Sequence, residues 1–319
     1  MTPTTPSPAD PSPAEPTSGE RSSAGPSPAE PSPGESSSGE SHPAEFFPAD
    51  DGTLLACHEL GDGEPLVCLP GGPMSASSYL GDLGGLSGQR RLIMLDLRGT
   101  GDSAVPADPA TYRCDRLVPD VEALRRHLGM ESLDLLAHSA GANLALLYTA
   151  RHPERVRSLT LVTPSVFAVG LMPSGSRRRE FAMLRKDEPW FDAAYAALVN
   201  VTEGRGGPDD WAAIAPFSWG RWDEAARARH AAEDALRNDE AARLYGQDAY
   251  DPSATRAALS RYDGPVRLLA GEYDMGAMPE VVGELTQMFP RGALAVQRGA
   301  GHFPWLDDPQ EFLRIMREW

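Results

Sequence analysis

Three residues of this chain stand where their types and order could carry out acyl transfer. Ser139 lies in Leu133-Asp134-Leu135-Leu136-Ala137-His138-Ser139-Ala140-Gly141, an apolar run that passes straight into the helix-prone residues 142–148. That order reads as strand, sharp turn and helix, with the hydroxyl at the apex. Ala137 and Gly141 flank the serine two positions away, where only small residues fit, giving a G-x-S-x-G elbow with Ala for the first Gly. A serine hydroxyl needs a base to become a nucleophile, and the base needs an acid to orient it. Asp274 follows the apolar run at residues 265–271, and His302 sits on the loop Gly299-Ala300-Gly301-His302-Phe303-Pro304. The expected roles are Ser139 as nucleophile, His302 as general base and acid, and Asp274 as orienter, with Glu272 and Asp251 as spare acids.

Acyl transfer also needs donors for the oxyanion. The N–H of Ala140, at the start of the elbow helix, is one. The loop Pro70-Gly71-Gly72-Pro73, after the strand-like Leu66-Val67-Cys68-Leu69, should supply the other. Glycine lets a backbone approach a ligand closely. Gly72 is the expected donor, with Gly71 as the fallback.

The elements that must hold these residues follow from the pattern. Strand signals at residues 46–47, 53–59, 66–69, 92–95, 133–137, 156–162, 265–271 and 293–296 alternate with helical ones at 77–86 and 116–128. This predicts an α/β fold, a mainly parallel sheet with helices on both faces. Residues 165–260 show no strand-like alternation. Helical runs at 178–184, 191–199, 222–236 and 239–245 predict an inserted helical cap, with the sheet core at 46–164 and 261–319. A cap above the serine would exclude water and set specificity.

The motifs resemble those of the α/β-hydrolase superfamily over about residues 46–319. Within it they resemble the proline iminopeptidase branch. Pro70-Gly71-Gly72-Pro73-Met74 is similar to that branch's His-Gly-Gly-Pro-Gly loop, and Asp96-Leu97-Arg98-Gly99-Thr100-Gly101-Asp102-Ser103 to its D-x-R-G-x-G-x-S segment. Trp219-Gly220-Arg221-Trp222-Asp223 is similar to its W-x-x-W-E. The resemblance implies an α/β-hydrolase fold and a substrate with a free N-terminal amine, bound by Asp223 with Trp219 and Trp222 beside it. The residues themselves also allow a helix-capping role for Asp223 and a purely packing role for the tryptophans. The chain departs from the branch in three places. Pro70 replaces His, Ala137-His138-Ser139-Ala140-Gly141 replaces Gly-Gly-Ser-Trp-Gly, and Asp223 is one methylene shorter than Glu.

Residues 1–45 are of another kind. They hold no Leu, Ile, Val or aromatic residue, and their seven acids against Arg21 contribute −6 of the formal net charge of −17. Such a Pro/Ser/Glu-rich segment cannot bury enough apolar surface to order itself and is expected to be disordered. The acidic balance of the rest excludes a basic nucleic-acid stripe. No run of about 18 apolar residues predicts a membrane span, and no apolar leader is seen, so a cytoplasmic location is expected. Cys57, Cys68 and Cys114 have no paired spacing and read as small buried residues. No C-x-x-C, H-x-x-x-H or H-E-x-x-H pattern occurs, so neither metal nor cofactor is expected. His138 is expected to pack or hydrogen-bond away from the Ser139 hydroxyl. His58, His127, His152 and His230 read as structural or exposed, and Asp96 and Arg98 as braces.

The function expected is a serine hydrolase acting on a small peptide or amide with a free N-terminal amine. Two alternatives stay open: a carboxylesterase or lactone hydrolase of secondary metabolism, and a lyase, cyclase or ligand-binding protein on the same scaffold. The partner is a small-molecule or small-peptide substrate; the sequence gives no oligomeric state.

Overall fold

Strand β5 (Leu133–His138) is buried along its whole length, as its unbroken apolar run requires of a strand covered on both faces. It lies in the middle of an eight-stranded sheet of order β1-β2-β4-β3-β5-β6-β7-β8. The others are β1 (Glu45–Pro48), β2 (Leu54–Leu60), β3 (Pro65–Leu69), β4 (Arg91–Asp96), β6 (Val156–Val162), β7 (Val266–Gly271) and β8 (Gly292–Gln297). The β1–β2 and β2–β4 pairs are antiparallel and all other pairs are parallel. The computed structural model describes residues 43–319. The segment expected to be disordered therefore lies outside the described residues up to 42, and Glu45, placed in it, belongs to β1.

Side-chain alternation along the strands divides the interior in two. Val67, Leu69, Ile93, Leu95, Leu135 and Ala137 face a core completed by helices α1 (Val118–His127), α2 (Gly141–Arg151) and, further on, α9 (Pro279–Thr286). Leu66, Cys68, Leu92, Met94 and Leu136 face a second core with Phe312 and Ile315 of α11 (Pro309–Arg317), next to the short α10 (Pro304–Asp307). The α/β-hydrolase architecture read from the sequence is thus the architecture found. Truncating any of these fully buried Leu or Ile side chains to Ala should cost about 2–5 kcal/mol.

Between β6 and β7 run six helices: α3 (Gly175–Ala182), α4 (Phe191–Thr202), α5 (Pro208–Ala213), α6 (Glu224–Glu233), α7 (Asp239–Tyr245) and α8 (Pro252–Leu259). Phe191, Ala194, Leu198 and Phe217 form a small core of their own with Met275. Ala241, Tyr245 and Leu259, by contrast, join the main core.

One expected helix is absent. Residues 77–86 form two 3-10 turns, Ser77–Leu80 and Leu86–Gly88. Between them Gly81, Leu83, Gly84 and Gly85 all take positive φ, a conformation that no right-handed helix tolerates.

Candidate active site

The turn after β5 places Ser139 at φ +51°, in the left-handed region. A non-glycine residue pays for such a conformation with about 1–3 kcal/mol and keeps it only where the surroundings enforce it. Here the Ser139 N–H donates to the Val162 carbonyl (3.1 Å), and the Ser139 carbonyl accepts from Ala142 (3.0 Å) and Ser165 (2.9 Å). Gly141 is required by space: a Cβ there would lie 2.4 Å from the Pro70 oxygen and 2.6 Å from that of Leu69. The elbow is thereby pressed against the loop that follows β3.

His302, after β8, brings Nε2 to 2.8 Å from Ser139 Oγ. Its Nδ1 is 2.7 Å from Oδ2 of Asp274, after β7. Asp274 is fully buried, and its Oδ1 accepts from the Gly276 N–H at 2.8 Å. All three residues lie past the carboxyl ends of parallel strands, where open α/β sheets gather their functional groups. Burial pulls the His302 pKa down, but the charge and hydrogen bond of Asp274 outweigh it. With a smaller push from Glu233, the pKa ends above its usual value. The spare acids do other work. Glu272 accepts from the Gly299 N–H at 2.7 Å, and Asp251 caps α8 through the Ala254 N–H at 3.0 Å.

The N–H groups of Ala140 and Gly72 have no hydrogen-bond partner among the described residues. Gly72 has φ +113°, and a Cβ on it would lie 2.4 Å from Ser75 Oγ. Gly71, the fallback donor, is excluded: its N–H donates to the Tyr79 hydroxyl at 2.6 Å. Gly72, Tyr79, Ser139 and His302 line a cavity of about 140 Å³. His138 and, from α6 and the turn after it, His230, Glu233, Asp234, Leu236 and Arg237 also line it. The arrangement brings together a serine hydroxyl, an imidazole, a buried carboxylate and two unengaged N–H groups.

The family profile for the alpha/beta hydrolase fold matches residues 64–309. The chain belongs to the α/β-hydrolase family. The proline iminopeptidase of Lactobacillus helveticus (strain DPC 4571) is 27% identical to it over 273 residues, covering 80% of this chain and 89% of its own. The crystal structure of the Mycobacterium smegmatis proline iminopeptidase is similar with a TM-score of 0.64 at 22% identity, covering 86% of this chain and 97% of that one. An esterase from Exiguobacterium antarcticum is similar with a TM-score of 0.65 at 18% identity, covering 86% and 97%. At these identities the two structures speak to the fold alone.

In this α/β hydrolase three expected substrate-binding residues lie elsewhere. Asp223 is the N-cap of α6, its Oδ1 accepting from the Ala226 N–H at 2.9 Å. It lines a separate groove with Arg221, Leu306 and Asp307. Trp219 is buried against Phe303, ring centroids 4.8 Å apart, and Trp222 packs on Trp219 and His230. None of the three lines the Ser139 cavity. Two carboxylates do, Asp234 and Glu233, and no motif singled out either; Asp234 lies 3.5 Å from Arg237, which leaves Glu233 as the one with no arginine partner among the described residues. Glu233 sits 3.5 Å from His230 Nδ1, so His230 is a paired cavity residue rather than a bystander. His58 and His127 also have carboxylate neighbours, Asp96 at 2.8 Å and Glu45 at 3.2 Å.

Asp96 and Arg98 brace loops as expected. Asp96 accepts from the N–H groups of Ser77 and Asp102, and Arg98 forks onto Asp120 at 2.8 and 2.5 Å. The three cysteines are buried and unpaired, and burial pushes each thiol up to about 12. No described helix is long and apolar enough to cross a membrane.

Proposed function

We propose that this α/β hydrolase works by acyl-enzyme catalysis, with Ser139 as nucleophile, His302 as general base and acid, and Asp274 as its orienter. The observation that carries the reading is the hydrogen-bonded chain from Asp274 through His302 to Ser139, opening on a cavity. His302 takes the hydroxyl proton as Ser139 Oγ bonds to the substrate carbonyl carbon. The carbonyl electrons move to oxygen, which the N–H groups of Ala140 and Gly72 hold. Collapse expels the amine or alkoxide, which takes the proton from His302. Water, deprotonated by His302, then releases the acid and restores Ser139.

The preferred substrate is a small peptide or amide with a free N-terminal amine. Glu233, not Asp223, is the carboxylate placed to meet that amine. It lines the cavity, its only ionic neighbour among the described residues is His230, and a charged carboxylate–ammonium contact is worth about 1.5–3 kcal/mol. A cavity of about 140 Å³ suits one small acyl or aminoacyl group. Residues 165–260 act in this reading as the cap. The second reading, a carboxylesterase or lactone hydrolase, is favoured by the His138-Ser139-Ala140-Gly141 elbow, which lacks the branch's Trp after the serine.

A matched assay tests both readings. Wild type and Ser139→Ala receive a free-amine prolyl or alanyl amide, its N-acetylated twin and a short-chain ester. Serine-dependent cleavage of the free amide alone supports the aminopeptidase reading. Cleavage of the ester alone moves the protein to the second reading, and equal silence of both proteins on all three counts against hydrolysis of either kind.

A further inference from the structure

The loop that carries Gly72 and the main chain of His302 are joined by two side chains that the acyl-transfer steps do not use. The Gly71 N–H lies 2.6 Å from Tyr79 Oη. Tyr79 Oη lies 2.7 Å from His138 Nδ1, and His138 Nε2 lies 2.9 Å from the carbonyl oxygen of His302. The direction of each bond follows from the ends of the chain. A carbonyl oxygen only accepts, so His138 Nε2 carries a proton. Burial, reinforced by charge on His302, holds the His138 pKa well below its usual value, so the ring is neutral and Nδ1 is bare. The Tyr79 hydroxyl, which burial keeps protonated, therefore donates to Nδ1 and accepts from Gly71. Every donor and acceptor along the chain is matched, with one proton per bond.

Both side chains are held in place. His138 is 2% exposed, with its ring edge-on to Trp305 at 4.9 Å between centroids. The His302 carbonyl has a second donor, Thr163 Oγ1, at 2.9 Å. The same residue thus works at three atoms: Nε2 toward Ser139, Nδ1 toward Asp274, and its carbonyl toward His138.

We infer that Tyr79 and His138 are positioning residues that set the oxyanion loop and the base in register with each other. Tying down the Gly71 N–H orients the loop, leaving Gly72 and Ala140 as the unengaged donors. Anchoring the His302 carbonyl keeps its ring aligned between Asp274 and Ser139. The inference rests on the acyl-transfer reading and adds to it a link between two parts of the machinery that come from opposite ends of the folded chain.

The test uses a fluorophosphonate probe. Ser139 Oγ attacks phosphorus, fluoride leaves with its electron pair, and the hydroxyl proton passes to His302. The phosphoryl oxygen occupies the oxyanion position, so the maximal labelling rate reads loop and base together. Tyr79→Phe should lower that rate about 10- to 100-fold, the effect of a small misplacement of reacting groups, a loss that exceeds any change in the half-saturating probe concentration. His138→Phe, which loses both bonds, should do the same. His138→Gln should recover part of the rate, because its amide N–H reaches the place of Nε2. The double variant Tyr79→Phe/His138→Phe should be no slower than the slower single, since both break one chain. Should Tyr79→Phe not fold, as judged by its thermal transition, the contrast between His138→Gln and His138→Phe decides. Serine-dependent labelling that is indifferent to Tyr79 and His138, or losses that multiply in the double variant, would overturn the inference alone. Wild type that is unlabelled, or labelled as well as Ser139→Ala, would bring down the acyl-transfer reading and this inference with it.

Discussion

The amide N–H of His302 donates to the carbonyl of Ser218 at 2.7 Å. Ser218 belongs to the short 3-10 turn Ala215–Ser218, within the segment inserted between β6 and β7. The neighbouring Phe217 carbonyl accepts from the Met275 N–H at 3.4 Å. One turn is therefore bonded both to the residue proposed as base and to the residue after the proposed orienter. Anything that moves this turn should reach the chemistry.

Gly301 offers a direct probe of that coupling. A Cβ there would lie 2.5 Å from the Ser218 oxygen and 2.6 Å from the Gly220 nitrogen, both backbone atoms. Gly301→Ala should lower activity by about 100-fold through displacement of His302. Gly299→Ala, at φ +70° with open space around it, should cost about 1 kcal/mol of stability and leave the rate near wild type. Paired rate and melting measurements on the two variants check this.

The base must be neutral to accept a proton, so the rate should rise with pH through the raised pKa of His302. Glu233→Gln removes a negative charge that favours the imidazolium, and should move the acid limb to lower pH. Asp274→Asn should lower the plateau by about 10⁴-fold, because an amide cannot hold the required tautomer. Labelling rates measured between pH 5 and 9 (on the order of the histidine range) read both effects.

Glu233→Gln should raise KM for a free-amine amide by about tenfold or more and leave the N-acetylated twin and the ester little changed. Asp223→Asn should leave all three substrates unaffected, because Asn caps a helix nearly as well as Asp. The opposite pattern, with Asp223→Asn selective against the free amine, would return the amine site to the position implied by the branch motif.

Acid stability should depend on Asp134. Burial alone would raise its pKa, but hydrogen bonds from Arg157, Ser158 and Arg90 bring it from 3.8 down to about 2. A carboxylate with a depressed folded-state pKa adds stability that is present above its unfolded value and lost as the pH falls through the folded one. The shift corresponds to about 2 kcal/mol. Unfolding of wild type and Asp134→Asn followed downward from neutral pH should converge as the pH approaches 2.

Ser139, Asp274 and His302 were legible because each ends a strand or opens a loop with its own local pattern, in the chain order an elbow hydrolase needs. Asp223 lies outside the Ser139 cavity, and local sequence could not have shown this, for a physical reason. An acid just before a helix is both the branch's amine anchor and an ordinary N-cap, and local sequence does not say which way the helix faces. Glu233 carries no pattern at all; it reaches the cavity because α6 ends there. Tyr79, His138 and His302 meet across 59 and 164 positions, a contact that no local spacing encodes. The helix expected at 77–86 is replaced by 3-10 turns because Gly81, Gly84 and Gly85 turn the chain.

Ser139 Oγ is the proposed nucleophile, the atom that attacks the substrate carbonyl carbon. The most direct measurement is peptide mapping after reaction with a fluorophosphonate. One adduct is expected, on the peptide containing Ser139, absent from Ser139→Ala and strongly slowed in Asp274→Asn. An unmodified wild type, or an adduct that persists in Ser139→Ala, would contradict it.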